Sequence, residues 1–448
     1  MRQKFNLTNK NYNATVVIVT KLIDLENCDN LQGTSIFGSQ VIVDKSAKVG
    51  DIGLFFPVEC QLSHEFVSNN NLYRDKTLNV DQTKSGYFEK NRRVRCMKLR
   101  CNKSEGLFIP LTSLSYLNID PPEVGVSFNT ITIGNIKRDI CDKYYIKRSQ
   151  PGGRNKKGKG KNEYKNILIE NQFKFHIDTI NLKRNIDYLT PDKVISISSK
   201  WHGTSFVISN VLTKKKLNII EKSLKLIGVN IVDTEYKLLC SSRRVIKNDK
   251  VKDPGFYNFD IWTDIGKKLN DIVPKGISLY GEAVGFMPTG AAIQSAKKGT
   301  YDYGCAASEY KIIVYKMTFT NSDGISYTIP WLPMVEFCKK HGIETPPLYF
   351  YGYAKDAFDI SIDDENKWRE EFLEKLSTKS EWGLNDVDCL YCKNKVPSEG
   401  VVLRVEDTTD YDLFTAKLKN FRFLDEETKL LDAGNENIED TQEDNINT

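Results

Sequence analysis

The sequence predicts an α+β protein, with a small N-terminal OB-like β-barrel module ahead of a larger domain of antiparallel sheets. Three observations lead to this fold class. Short β-branched segments punctuated by glycine occupy the first 135 residues, a Gly- and Lys-rich stretch follows them, and strand patterns outnumber helix patterns after it. A chain of 448 residues can hold two or three domains, each with a core of its own.

The first part of the chain contains five segments typical of strands. We predict strands at 14–20, 39–44, 51–56, 92–100 and 106–110. Short strands separated by glycine turns favour a small barrel. The fourth segment carries five basic residues, which alternation divides between two faces of the sheet. Phosphate contact and a solvated edge are equally good interpretations of that segment.

Composition divides the chain into four parts. We predict an OB-like domain over 1–135, a basic flexible linker over 136–165, the larger domain over 166–424, and an acidic disordered tail over 425–448. Residues 147–165 carry eight basic side chains and one acid, and the tail carries nine acids and one base. This charge asymmetry suggests a polyanion-binding surface together with a solvated tail. Both segments are also typical of disordered, solubilising sequence, and for the tail we favour that interpretation.

Several classes of protein are excluded or disfavoured by composition. No apolar run of about 18 residues is present, so no membrane span is expected. The N-terminus lacks an apolar secretory core, and ten scattered cysteines fit a reducing compartment. Cys389 and Cys392 form one CxxC pair, but no second pair follows, so buried thiols are favoured over zinc. We expect an intracellular, cytoplasmic and soluble monomer.

The second half of the chain begins with a strand and a turn around a lysine. Lys200 ends the apolar segment 194–197, and a Gly-Thr-Ser turn leads into the next apolar segment, 206–208. Gly203 would let the backbone approach a ligand, and the hydroxyls add hydrogen-bond donors. Taken alone, this pattern is also typical of an exposed lysine before a turn.

Further elements follow at regular intervals. An apolar stripe at helical spacing predicts a helix that begins at a cap on Asn258. Strands are predicted at 278–284, 311–319, 400–405 and 411–419.

Four of these segments carry side chains suited to chemistry. Glu282 lies at a strand end, Tyr315 lies within an apolar strand, and Glu399 directly precedes a buried strand. Lys417 and Lys419 are two residues apart, so they share one face of a strand. Two lysines on one face are costly unless they meet an anion, although lysines also protect edge strands.

The order of these segments resembles that of the covalent nucleotidyltransferase superfamily, which contains DNA ligases, RNA ligases and mRNA capping enzymes. The resemblance implies an ATP-grasp-like ligase domain of antiparallel sheets with Lys200 as the nucleophile. It implies catalytic roles for Lys417, Lys419 and Glu399, with Glu399 also at the metal. It implies that the nucleotide is bound by His202, Gly203, Arg243 or Arg244, Glu282, Tyr315, Lys417 and Lys419.

Finer features resemble the Deinococcus-type RNA ligases. His202 stands where most of the superfamily has aspartate, and the segments 49–51, 56–57, 99–107 and 175–179 are similar to that family. The resemblance covers most of residues 14–424. It implies sealing of nicks with RNA on the 3′-OH side.

The implied reaction joins a 3′-OH end to a 5′-phosphate end of RNA, or of an RNA/DNA duplex nick, in three steps. A lysine is adenylylated by ATP, AMP passes to the 5′-phosphate, and the 3′-OH then attacks with release of AMP. ATP and Mg²⁺ (or Mn²⁺) are the expected cofactors, since phosphate and carboxylate oxygens suit these ions.

Two other functions stay open at this point. An mRNA capping guanylyltransferase shares the lysine chemistry, but usually carries its OB domain after the catalytic domain. A non-catalytic RNA-binding protein with a retired ligase domain would keep the fold without the reaction. Covalent labelling with ATP or with GTP separates these functions.

Overall fold

The computed structural model describes residues 2–145, 166–247, 259–406 and 412–434. Across these ranges the chain is mixed α+β with mainly antiparallel sheets, which confirms the predicted class. The basic segment 147–165, the predicted cap at Asn258 and the end of the acidic tail from 435 lie outside the described residues.

Short strands make up most of the N-terminal part. In chain order they are β1 (Gln3–Asn6), β2 (Ala14–Ile18), β3 (Leu22–Asp24), β4 (Leu31–Ile36), β5 (Ser39–Asp44), β6 (Ile52–Phe56), β7 (Cys60–Leu62), β8 (Cys96–Leu99), β9 (Asn102–Glu105), β10 (Leu107–Pro110), β11 (Ser127–Phe128), β12 (Thr130–Ile133), β13 (Ile136–Asp139) and β14 (Cys141–Lys143). Helix α1 (His64–Asn69) follows β7.

These strands form separate open sheets rather than one closed barrel. Over residues 2–145 the largest sheet has the order β10-β6-β2-β11, beside sheets of order β1-β12-β13 and β3-β4-β5. Phe56, Phe66 and Phe128 are fully buried in their shared core. The predicted OB-like barrel is therefore not confirmed, and β13 and β14 lie in the range predicted as linker.

The predicted strand at 92–100 is wrong in its extent. Only Cys96–Leu99 is a strand, because Arg92 and Arg100 adopt φ angles of 55° and 46°. Positive φ values belong to the left-handed region, which interrupts an extended chain. The basic residues of this segment therefore do not line a single strand.

The strands of the larger part are longer. They are β15 (Ile180–Asn181), β16 (Val194–Lys200), β17 (Thr204–Lys214), β18 (Thr234–Ser242), β19 (Ile277–Gly285), β20 (Ser295–Ala296), β21 (Gly299–Thr300), β22 (Tyr310–Thr320), β23 (Ser326–Thr328), β24 (Leu348–Tyr353), β25 (Gly400–Val405) and β26 (Thr415–Lys419). The helices are α2 (Ile219–Leu226), α3 (Ile261–Leu269), α4 (Trp331–Lys340), α5 (Glu365–Ser377) and α6 (Phe421–Asp432).

Two five-stranded sheets organise these elements within the described ranges. Sheet I has the order β18-β17-β19-β22-β23, and sheet II has the order β15-β26-β25-β16-β24. Helix α3 begins after its cap, Asp260, and buries Ile261 and Ile265 against sheet I. Helix α5 buries Trp368 and Phe372 against sheet II. Each sheet thus has an apolar core of its own.

Helix α6 joins the C-terminal part to the N-terminal strands. The Arg93 side chain is fully buried, and its Nη2 donates to the Thr428 carbonyl at 2.9 Å and to Asp432 at 2.6 Å. The helix continues to Asp432, so the first eight residues of the predicted disordered tail are helical.

No helix in the described ranges is long and apolar enough to cross a membrane.

We expect the substitution Asp432→Ala to destabilise the protein, because it leaves the buried Arg93 guanidinium without its carboxylate. Removing one partner of a buried ion pair costs about 3 kcal/mol. Equilibrium urea denaturation measures this loss. Asp29→Ala is the matched control, since Asp29 is almost fully exposed and should change stability by less than about 0.5 kcal/mol. Equal stability of the two variants would contradict the anchoring role of this contact.

Candidate active site

Lys200 is the last residue of β16, where the chain leaves sheet II and crosses to sheet I. The turn that follows contains Gly203, at which a Cβ atom would lie 2.4 Å from the Ala283 carbonyl oxygen. Only glycine fits this contact between the turn and β19. The Gly203 carbonyl accepts from Gln294 Nε2 at 2.8 Å. Gly203 therefore allows close packing of the turn, and it is not among the residues that line the cavity described below.

A cavity of about 430 Å³ lies between the two sheets and is lined by residues from both. Lys200 lines this cavity. Six other predicted site residues line it as well: Glu282, Tyr315, Glu399, Lys417, Lys419 and Arg243. Arg244 does not line the cavity, so the structure separates these two candidates. Seven of the ten predicted site residues thus meet at one place.

The Lys200 amine is held by a carboxylate. Its Nζ lies 2.7 Å from Glu399 Oε1, because Lys200 pairs with Gly400 across the β16–β25 ladder. Burial lowers the pKa of Lys200, whereas Glu399 and Glu282 raise it, and the net direction is upward. The positive charge of Lys419 acts in the opposite direction, but the Glu399 contact outweighs it.

Glu399 is itself almost fully buried. Burial raises the pKa of its carboxyl, but the charges of Lys200, His202 and Lys419 lower this pKa by a larger amount. The net direction is downward, and the group is ionised. Its second oxygen, Oε2, lies 4.0 Å from His202 Nδ1 and makes no hydrogen bond to the described residues. One carboxylate oxygen is therefore buried beside the cavity with bonding capacity left over.

His202 stands behind this carboxylate rather than in the cavity. Its ring meets Tyr301 and Phe423 edge-on, with centroids 5.0 and 5.1 Å away. Its backbone N–H donates to the Tyr303 hydroxyl at 2.7 Å. Direct contact of His202 with a nucleotide is thus not supported, because aromatic rings enclose the imidazole.

Lys417 and Lys419 lie on β26 and share the face predicted from their spacing. Burial lowers the pKa of Lys417 to about 8, with the charges of Lys419 and Lys200 acting in the same direction. Burial also lowers the pKa of Lys419, but Glu427 and Glu59 raise it, and the net direction is upward. Lys419 Nζ lies 3.1 Å from Glu427 Oε2.

Glu59 and Glu427 were not found from the sequence. Glu59 comes from the turn before β7 and Glu427 from α6, so they are far apart in the chain and lie in no motif. Burial raises the pKa of Glu427 to about 8, and the Glu59 charge adds to this effect. Tyr12 donates to Glu59 Oε2 at 2.9 Å. The N-terminal part therefore supplies residues to the wall of the cavity.

Sheet I contributes the remaining groups. Ser205 Oγ donates to Glu282 Oε1 at 2.8 Å. Tyr315 lies at a β-bulge, where the register with β19 shifts, and its hydroxyl is 2.9 Å from His176 Nδ1. Arg243 forms an ion pair with Asp178. These contacts fix the Tyr315 ring and the Arg243 guanidinium at the cavity wall.

No group of three or more His, Cys, Asp or Glu side chains suited to a metal ion occurs in the part of the chain described here. Cys389 and Cys392 are both free thiols. A divalent ion at Glu399 would therefore need ligand atoms from phosphate or water.

The comparisons with known proteins identify the family of this chain. The RNA ligase family model matches residues 193–419, which is just over half of the chain and includes both Lys200 and Lys419. Fold and family together therefore define a ligase. The chain belongs to the RNA ligase family. No curated protein matches it.

Solved structures of the Naegleria gruberi RNA ligase are similar to this chain. A lysine-to-methionine variant with AMP and Mn is 13% identical, with a TM-score of 0.53, over 92% of this chain and 97% of that one. A lysine-to-alanine variant with ATP and Mn is 13% identical, with a TM-score of 0.55, over 94% and 99%. The same enzyme with PPi is 13% identical, with a TM-score of 0.52, over 93% of this chain and 98% of that one. At such identities the likeness establishes the fold.

We expect Lys417 to react as a neutral amine at lower pH than an ordinary lysine. A lysine pKa of about 8 means that labelling by trace acetic anhydride rises as the pH passes through about 8, instead of about 10.4. Lys419→Met removes a neighbouring positive charge and should raise the midpoint. Asp178→Asn removes a negative charge and should lower it. Mass spectrometry of the labelled peptide gives the profile, and a midpoint above pH 10 in the unmodified protein would contradict the assignment.

Proposed function

We propose that this protein is an ATP-dependent RNA ligase that joins 3′-OH and 5′-phosphate ends through a lysyl-AMP intermediate on Lys200. One observation carries the proposal. The Lys200 amine reaches a cavity that also holds Glu399, Lys417 and Lys419, inside the segment that matches the family. An amine, a carboxylate and two cations around one cavity suit transfer of a phosphoryl-linked group.

ATP and a divalent metal ion are the cofactors that the ATP- and Mn-bound relatives support. The Glu399 carboxylate fits such an ion, because its buried Oε2 makes no hydrogen bond and carboxylate oxygens are preferred ligands. When bound, a divalent ion supplies positive charge that favours a neutral amine and stabilises the charge of the transition state. Glu399 is the residue that would hold it.

Lys200 must lose its proton before it can attack phosphorus. The contact with Glu399 favours the charged form of the amine, so the first step requires this ion pair to separate. The amine then attacks the α-phosphorus of ATP, the N–P bond forms, and the bond to pyrophosphate breaks. Lys417 and Lys419 supply fixed positive charge beside the reacting phosphate.

The other wall residues hold the nucleotide. Glu282 accepts from the ribose hydroxyls, and Tyr315 stacks on the base. Arg243, rather than Arg244, contacts a phosphate or sugar oxygen, since only Arg243 lines the cavity. His202 acts through Glu399, which it stabilises from behind.

In the second step AMP passes from Lys200 to a 5′-phosphate, and in the third a 3′-OH displaces AMP to form the phosphodiester. We propose nicks with RNA on the 3′-OH side as substrates, as in the Deinococcus-type ligases. One chain supplies every residue of this mechanism, which supports a monomeric enzyme. We also propose that the first part is an OB-like module, although its strands extend past the boundary predicted at residue 135 to β14 and helix α6 crosses the boundary predicted at 424.

Incubation of the purified protein with α-labelled ATP should transfer the label to the protein, and Lys200→Ala should abolish the transfer. The reason is that, among the residues which the structure describes, Lys200 is the amine that both lines the cavity and contacts Glu399. Gel analysis after denaturation measures the covalent product. Lys200→Arg controls for the loss of positive charge and should also be inactive. Label from GTP in place of ATP would indicate a capping enzyme, and adenylylation of the Lys200→Ala protein would contradict the mechanism.

Nick sealing should depend on the sugar at the 3′-OH terminus. Two matched duplex nicks that differ only in ribose or deoxyribose at this terminus provide the comparison. We expect the ribose nick to be sealed at least about tenfold faster, the size of effect expected for one lost hydrogen bond to the substrate. A pre-adenylylated 5′ end isolates the final step. Equal rates would point to a DNA ligase.

A further inference from the structure

Arg404 is a charged residue of the cavity that no motif considered above includes. It lies on β25, five residues after Glu399, and its side chain lines the same cavity. Its neighbours Leu403 and Val405 are buried in the core on the other face of sheet II. Val402 shares the face of Arg404 and also lines the cavity.

The guanidinium of Arg404 is fixed in place but has unused donors. Its Nε donates to Glu406 Oε1 at 2.8 Å, and its Cζ lies 5.4 Å from the centroid of the Trp331 ring. Glu406 also accepts from Ser196 Oγ and from the Trp331 backbone N–H, so three of its roughly four acceptor sites are used. Only 4% of Arg404 is exposed, and its Nη2 is buried without a hydrogen-bond partner among the described residues.

A buried donor without a partner is rare and costly in a folded protein. A guanidinium carries five N–H groups, of which this one uses a single group. Its position at the wall of a ligand cavity suggests that a ligand atom completes it. The atom must be an acceptor, since arginine donates only.

The ladder between β16 and β25 sets the distance from Lys200. Lys200 pairs with Gly400, and Ser196 pairs with Arg404, four residues further along. Four residues of a strand span about 13 Å. This length is comparable with the reach of a nucleotide from its α-phosphate to the far edge of its base.

We propose that Arg404 is a specificity-determining residue that donates a hydrogen bond to N1 of the adenine ring. This inference rests on the proposed function, in which the α-phosphate lies at Lys200 and the base stacks beside Tyr315 and Val402. At N1 adenine presents an acceptor, whereas guanine presents an N–H donor that would oppose the guanidinium. Arg404 therefore favours ATP over GTP.

Two ATP analogues and one conservative variant test this contact in the full-length protein. The analogue 1-deaza-ATP replaces N1 by C–H, and 7-deaza-ATP alters another ring position as the control. Arg404→Lys keeps a positive charge beside Glu406 but removes Nη2. Arg138→Lys is the matched control variant, because Arg138 pairs with Glu65 at the surface and does not line the cavity.

The measurement is the rate of lysyl-AMP formation as a function of nucleotide concentration. We expect the half-saturating concentration to rise about tenfold when unmodified protein receives 1-deaza-ATP, and about tenfold for Arg404→Lys with ATP. The two changes should not add, because each removes the same hydrogen bond. The maximal rate, the response to 7-deaza-ATP and the Arg138→Lys protein should change little.

Equal half-saturation of the unmodified protein by ATP and 1-deaza-ATP would overturn the assignment, and this arm needs no variant to fold. Additive effects of analogue and variant would also overturn it. Arg404→Lys should narrow the preference for ATP over GTP, and an unchanged preference counts against the proposal. Absence of any lysyl-AMP with ATP would instead overturn the proposed function itself.

Discussion

The ion pair between Lys200 and Glu399 is the contact on which the site depends. Both side chains are largely buried, so the charge of each is stabilised mainly by the charge of the other. The pair forms because β16 ends opposite the start of β25, which places Lys200 beside Gly400 and hence beside Glu399. It holds the pKa of the Lys200 amine above its ordinary value. In the proposed reaction this ion pair must therefore separate before the amine can attack, and Glu399 is the residue that would hold a divalent ion.

Carboxylates also pair with other positively charged side chains that line the cavity. Arg243 is held by Asp178, and Lys419 by Glu427 with help from Glu59. Within the described residues, no carboxylate lies within ion-pair distance of the Lys417 amine, and burial and neighbouring positive charges lower the pKa of Lys417 to about 8. The lysine that is easiest to neutralise is thus not the proposed nucleophile.

Long-range contacts complete this electrostatic arrangement. Glu59 belongs to the N-terminal part and Glu427 to the last helix, yet both act on Lys419. Arg93, buried against Thr428 and Asp432, ties the same helix to the N-terminal strands. A substitution that breaks the contact between Arg93 and this helix would therefore change the charge balance of the cavity as well as the stability of the protein.

Most of the predicted site residues that line the cavity lie on strands, so strand geometry brings them together. The spacing of Lys417 and Lys419 predicts a shared face, and β25 begins and ends at the predicted residues. Contacts between distant segments left no such signal: neither Glu59 nor Glu427 could be paired with Lys419 by pattern alone. The predicted strand at 92–100 failed for a local reason, since left-handed residues flank it.

Gly203 has a packing role that the sequence pattern did not indicate. The sequence indicates a glycine that lets a ligand approach, whereas the structure shows a turn pressed against the Ala283 carbonyl. This contact lets the chain pass from β16 in sheet II to β17 in sheet I within a few residues. Lys200 consequently stands where the two sheets face each other, with Glu399 on one side and Glu282 on the other. A larger side chain at 203 would separate the turn from β19 and move the amine away from the groups that control its charge.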